Sequence, residues 1–312
     1  MSLGTRLSRL PRWLVRCLVP RIRYLNLMRA LEWRGLAPHV RQVKGWQVLD
    51  VGCGHGLYSL ELACRGAVLH GCDLQEAGLA VARQVSNKLG LDERASFVQA
   101  DATALPWPDG LFNLVVCNCV LEHIADDQAA LSSMARVLRP GGLLYLTVDS
   151  AEHGRALACL ERLPRQARAR LLKAPIAAAQ DLSSGLDALL DSQYAVRRRY
   201  RRDELELRLT GLGLTILESR AYLTGVGAAQ FELLHAWKGL DPERGIGRWL
   251  YVATSVLLYP WAAWSDAQQR GRGRGLALVA RRGGEAGWLG RRPSPIPEET
   301  GRCDRPQQGQ GG

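Results

Sequence analysis

No stretch of this 312-residue chain supplies the ~20 uninterrupted apolar positions that a membrane-spanning helix needs. The N-terminus is apolar only between arginines that recur every three or four residues, so no secretory signal is expected. The 8 cysteines lack ligand spacing and the 6 histidines do not cluster, so no metal site is expected. Most of the cysteines read as small buried apolar residues in a reduced compartment, which implies a cytoplasmic protein. Cys117 and Cys119 lie two apart on an expected strand and should share a face. No internal repeat is found.

Acids are scarce where bases are plentiful. Residues 1–44 hold ten basic side chains and one acid, a net of +9 within a chain total of +11. Residues 45–150 reverse this, with six bases against twelve acids. The later segments 151–223 and 224–312 each carry +4. A basic arm of this kind either holds phosphate, as nucleic acid or anionic lipid, or is a solvated charged face.

What is present begins with Trp46 to Gly56, WQVLDVGCGHG. Val48, Leu49 and Val51 have the look of a buried parallel strand. Asp50 lies within the run, and Gly52, Gly54 and Gly56 follow at alternate positions. Glycine is required where backbone turns sharply or lies against a ligand without an intervening Cβ. A dinucleotide fingerprint would place its third glycine at Leu57, so a nicotinamide dehydrogenase is disfavoured. A helix is expected over residues 58–65, which puts the amides of the turn at a helix start suited to an anionic group.

The remaining elements follow in order. Strand two runs from Ala67 to Cys72 and is closed by Asp73, beyond which comes Leu74. A helix spans Ala77 to Leu89, and strand three spans Ala95 to Ala100. QADATALPW follows, with Asp101 and Ala102 at the strand end. Strand four, Leu111 to Cys117, runs into Asn118 and then Leu121-Glu122-His123. A helix over Gln128 to Leu138 is closed by RPGG, and strand five covers Leu143 to Val148. Residues 150–200 and 224–274 read as helical insertions around a helix over Asp203 to Gly211 and a strand over Leu214 to Tyr222. GLALVARR, Gly275 to Arg282, gives the last strand, and residues 283–312 have the composition of a disordered tail.

The ordered series DVGCGHG, acid after strand two, QADA, LEH and VLRPGG resembles the class I S-adenosylmethionine (SAM) dependent methyltransferases, in particular the type 11 small-molecule group. The resemblance is close over about 45–150 and by pattern only over 200–282. It implies a Rossmann-like α/β fold: a seven-stranded, mostly parallel sheet with helices on both faces and an antiparallel last strand. It also implies SAM as cofactor. Asp50, Gly52, Cys53, Gly54, Gly56, Cys117 and Asn118 would hold its methionine end, Asp73 and Leu74 the ribose, and Asp101 and Ala102 the adenine. His123 would face the reaction as a general base or tie its loop to the fold. The chain has Phe112-Asn113 where the family often has Phe-Asp, at the far end of the strand from the cofactor.

The expected organisation is a basic helical arm (1–44), a methyltransferase domain (45–282) and the tail. The expected reaction is in-line methyl transfer to a small acceptor, with apolar and lipid-like molecules among the candidates. An RNA methyltransferase or a non-catalytic SAM-binding scaffold are the alternatives, and the acidic core opposes the first. Residues 2–19 are amphipathic, broken at Pro11, and suit either contact with an anionic membrane surface or packing across the core. The uncharged run 249–265 is a lid, an interfacial helix or core.

Overall fold

The computed structural model describes residues 9–18, 25–153, 156–240, 245–268 and 272–283. The expected tail beyond residue 283 and residues 2–8 of the arm lie outside that range. Seven strands form one sheet: β1 (Gln47–Val51), β2 (Val68–Asp73), β3 (Ala95–Gln99), β4 (Phe112–Asn118), β5 (Leu138–Asp149), β6 (Leu214–Tyr222) and β7 (Gly275–Arg282). Their order is β3-β2-β1-β4-β5-β7-β6. β1 to β5 are parallel, and β7 runs antiparallel to both β5 and β6. The order reverses between β1 and β4, so their carboxyl ends frame a crevice, the place where ligands bind in such sheets.

Helices cover both faces. One face carries α1 (Arg12–Leu18), α2 (Leu27–Leu36), α3 (Leu60–Cys64) and α4 (Glu76–Leu89). Val15, Leu31, Leu60 and Val85 from these helices share one apolar cluster. The other face carries α5 (Asp127–Val137) and α9 (Arg202–Gly211), whose Leu131, Met134 and Leu205 form a second cluster. The first insertion folds as α6 (Arg165–Leu171), α7 (Ala174–Ala178) and α8 (Leu182–Tyr194), with a small core of its own around Ile176 and Leu186. The second gives α10 (Gly225–Ala236) and α11 (Gly245–Gln268). Helix ends match their sequence signals: Asp126 caps α5 by accepting from the Ala129 amide, and Gly90 closes α4 in the left-handed region.

One open alternative is narrowed and one expectation changes. α1 begins just after Pro11 and docks on α4, with Val15 fully buried and Lys88 Nζ bonded to the Leu10 carbonyl at 2.7 Å. The arm thus packs across the core over its described part. The RPGG turn is no separate reversal. β5 already pairs at Leu138 with Phe112, and the turn is an irregularity inside the strand, with Gly141 at φ 76° before pairing resumes at Leu143.

The carboxylate of Asp127 links distant parts of the chain. It accepts from Arg208 at 2.7 and 3.0 Å, Arg198 at 2.8 Å and the Tyr200 hydroxyl at 2.7 Å. The same hydroxyl reaches the Leu121 carbonyl, so this buried hub fixes the loop after β4. Removing the carboxylate takes away the shared partner of two guanidinium groups and a hydroxyl. Asp127→Ala is expected to cost about 3 kcal/mol in urea denaturation.

Candidate functional site

The glycine turn is built as its composition demands. Gly52, Gly54 and Gly56 have φ of 69°, 50° and 64°, the left-handed region. A Cβ on Gly52 would collide with Val120, and one on Gly56 would lie 2.9 Å from the Phe97 ring. Those two glycines are therefore required by packing. Gly54 differs: a Cβ there would meet nothing within 4 Å, so its backbone faces open space at the crevice.

Asp73 closes β2 and reaches back to that turn. One carboxylate oxygen accepts from the Gly54 amide and the other from the Gln75 amide, each at 2.9 Å. Leu74 is 63% exposed, and the Gln99 side chain holds its carbonyl at 2.8 Å. Asp101 accepts from the Thr103 amide at 2.9 Å, with Ala102 buried beside it. These acids stand at the carboxyl ends of neighbouring strands. Asp50 lies behind the turn, where burial pushes its carboxyl up to about 6 against the pull of Ser59 and Arg29.

Past the turn opens a cavity of about 350 Å³. Tyr58, two residues beyond Gly56, lines it together with Arg29 of α2, Cys119, Glu122 and His123 of the loop after β4, and Asp149 at the end of β5. The insertions supply Leu190, Tyr194, Phe231, His235 and Tyr251, while Tyr222, Arg274 and Gly275 come from the ends of β6 and β7. The walls are thus aromatic and apolar, with a few ionisable groups.

Both lining arginines are matched. Arg29 pairs with the buried Glu32 at 2.8 Å, and Glu32 also accepts from the Tyr222 hydroxyl at 2.9 Å and the Cys119 thiol at 3.1 Å. Arg274 pairs with Glu232 at 3.0 Å and Asp187 at 2.7 Å. Among the described residues, Glu122 and Asp149 form no ion pair, and Oε2 of the buried Glu122 has no hydrogen-bond partner. Burial first, then the nearby Asp149, push the Glu122 carboxyl up to about 8. Burial raises Asp149 too, against the pull of Arg274, Arg199 and His123. The cavity groups without an ion pair are two carboxyls, which can accept a ligand's hydrogen bond and oppose phosphate.

His123 sits at the exposed rim, its Nδ1 3.4 Å from the Ala195 carbonyl. Cys117 and Cys119 do not share a face. Cys117 is buried in the cluster beneath α5, whereas β4 ends at Asn118 and Cys119 turns into the left-handed region at φ 51°, towards Glu32. A left-handed residue ends the two-residue alternation on which the expectation rested. Sequence reasoning also missed Glu122, Asp149, Arg29, Glu32 and Arg274 as a group. Only Glu122 had a local signal, its place in LEH. Among the described residues, no set of three His, Cys, Asp or Glu is placed to hold a metal ion.

Known proteins agree with this architecture. Residues 49–146 match the family model described as a methyltransferase domain. A ubiquinone biosynthesis O-methyltransferase from Azotobacter vinelandii is 37% identical over 125 residues, which is 39% of this chain and 52% of the relative. One of the same description from Pseudomonas aeruginosa is 38% identical over 105 residues, 33% of this chain and 44% of that one. The chain therefore spans about half the length of the curated relatives it matches. Among solved structures, a SAM-dependent methyltransferase from Mesorhizobium loti shares the fold at TM-score 0.50 and 21% identity, covering 80% of this chain and 97% of the other. A geranyl diphosphate C-methyltransferase from Streptomyces coelicolor A3(2) does so at 0.51 and 13%, covering 80% and 76%.

The environment of Glu122 makes a pH prediction. Its value lies above the ordinary 4.5, so the folded chain holds the proton more tightly than the unfolded chain. That stability is complete below the ordinary value and is lost as pH rises towards 8. Glu122→Gln cannot ionise, so the fall in melting temperature between pH 5.5 and 8.5 should shrink by roughly several °C, measured by calorimetry. The strand order and the sequence match agree: residues 49–146 are similar to the methyltransferase-domain family and lie within a sheet of the same order.

Proposed function

We propose that this chain is a SAM-dependent methyltransferase that delivers the methyl group to a small hydrogen-bond-donating acceptor held in the cavity beyond the glycine turn. The carrying observation is the open backbone at Gly54, held by the strand-end acid Asp73, with a cavity beyond the same turn whose wall includes the unpaired carboxyl of Glu122. The catalytic unit would span residues 45–282, with 1–44 as the arm.

The residues fit the cofactor. The amides of the turn, with Cys53 between its glycines and Asp50 behind, suit the charged methionine end. Asp73 keeps acceptor capacity for ribose hydroxyls after binding the Gly54 and Gln75 amides, because each carboxylate oxygen has a second lone pair. Leu74 offers an apolar face beside it. Asp101 and the Ala102 amide suit the adenine edge. Asn118 lies at the end of β4, and Cys117, being buried, contributes backbone only. The cofactor supplies an electrophilic methyl on a sulfonium.

Everything else falls to the chain. The aromatic walls exclude water and hold the acceptor, and alignment of this kind supplies ~7–11 kcal/mol of a bimolecular barrier. In this reading the ionised form of Glu122, a minority below pH about 8, is the base that receives the acceptor's proton, with His123 at the rim as the alternative. The acceptor is apolar or amphipathic, with aromatic and lipid-like alcohols, phenols and amines as the classes to screen. Within residues 2–19, the exposed Arg9 and Arg12 supply contact with an anionic membrane surface, and no described helix is long and apolar enough to cross a membrane.

Calorimetric titration with SAM and with its demethylated product tests the cofactor assignment. Gly54→Ala should weaken SAM at least tenfold by placing a methyl group in the open cradle. Gly110→Ala carries a similar left-handed strain at the opposite end of β4 and should leave affinity unchanged. Unaltered SAM affinity in Gly54→Ala would sink the assignment. Labelled methyl transfer to extracted lipids, quinols and small phenols then identifies the acceptor.

A further inference from the structure

The uncharged run in the second insertion is the middle of α11, a 24-residue helix. Its inner face is firmly docked. Tyr251 enters the cavity wall and bonds Asn26 at 3.1 Å, Gln230 bonds Thr254 at 2.9 Å, and Ala262 packs into the apolar cluster under α2. The buried Asp266 accepts from the Leu223 amide, the Thr224 amide and the Thr224 hydroxyl at 3.1, 2.8 and 2.6 Å. The outer face is therefore exposed on a fixed helix.

That face is apolar along its whole length. Ile246, Trp249, Leu250, Leu257, Trp261 and Trp264 recur at helical spacing and are 41% to 70% exposed. Between Ile246 and Trp264 the stripe runs about 27 Å. Isolated exposed apolar residues are ordinary, but a continuous stripe marks a binding surface. Tryptophans along the exposed face suit a membrane interface, where the ring is apolar and its N–H meets headgroups. A protein interface would gather its aromatic anchors at the centre within a polar rim.

Charge points the same way. α1 and α11 contribute to one apolar cluster, so they lie on the same side of the sheet. Exposed Arg9 and Arg12 lie at the start of α1, within the segment that carries +9. Exposed Arg272 follows α11. Basic groups on the side of the sheet that carries an apolar stripe suit a helix that lies flat in the headgroup layer of an anionic bilayer.

We propose that α11 lays its tryptophan stripe into the surface of an anionic membrane, with exposed Arg9 and Arg12 on the same side of the sheet. The stripe is a docking surface separate from the arm, and it stands whether or not the methyltransferase assignment does. Where that assignment holds, the helix that meets lipid also walls the cavity through Tyr251, so an amphipathic acceptor would enter beside it.

The full chain should float with vesicles of phosphatidylcholine and phosphatidylglycerol in a 70:30 ratio at ~0.1 M salt, and bind pure phosphatidylcholine vesicles more weakly. Replacing the exposed Trp249, Trp261 and Trp264 by Ser should lower partitioning at least tenfold, with an unchanged circular dichroism spectrum and SAM titration. Leu257→Arg, a milder probe of the same face, should lower it less. Arg9→Ser with Arg12→Ser, at exposed positions, should lower binding to the anionic vesicles less than the triple variant does. Unchanged vesicle binding in both stripe variants overturns the proposal, as does a full chain that binds no vesicles. A lipid-free dimer that the triple variant dissolves also overturns it, since the stripe would then belong to a second copy.

Discussion

The Asp73 carboxylate, reaching from the end of β2 to the Gly54 amide on the neighbouring turn, is the contact on which the site depends. A strand that ends in three left-handed glycines has little intrinsic preference for one path, because glycine loses the most conformational freedom on ordering. Val120 and Phe97 confine Gly52 and Gly56, and Asp73 holds the residue between them. The result is a stretch of backbone kept open at the point where the strand order reverses.

Around that fixed point the chain arranges charge with unequal care. Arg29 and Arg274 are both neutralised by buried carboxylates, and Glu32 further collects a tyrosine hydroxyl and a thiol. Full satisfaction makes these groups rigid wall material. Glu122 is left with an unpartnered oxygen in the same wall. A buried group of that kind is costly to keep, and a carboxyl shifted in this way marks a candidate site. The insertions complete the enclosure. Without Leu190, Tyr194, Phe231 and Tyr251 the crevice beside β4 would be open to water.

Much of this was legible in the chain itself. The glycine turn, the acid after β2, the position of Asp101 and all seven strands follow from local patterns, since alternate glycines and short apolar runs report directly on backbone geometry. The errors have local causes too. Pairing of Leu138 with Phe112 drew the RPGG turn into a strand, and one left-handed residue parted Cys119 from Cys117. For the run 249–265, a lid, an interfacial helix and core could not be told apart, because the same apolar residues serve all three. Docking separated its faces, with Tyr251 and Ala262 inward and the tryptophans outward.

By itself the sequence determined the layered α/β fold, the turn that opens onto the crevice and the acids that flank it. Those features rest on neighbours within a few residues or on strand order, and both are written in periodicity. Only the tertiary structure decided which charges are paired. Arg29 meets Glu32 within one helix, but Tyr222 joins them from 190 residues away, and Arg274 finds Glu232 across 42. Whether a buried carboxylate is satisfied or left free depends on contacts between segments remote in the chain, and no local pattern encodes that.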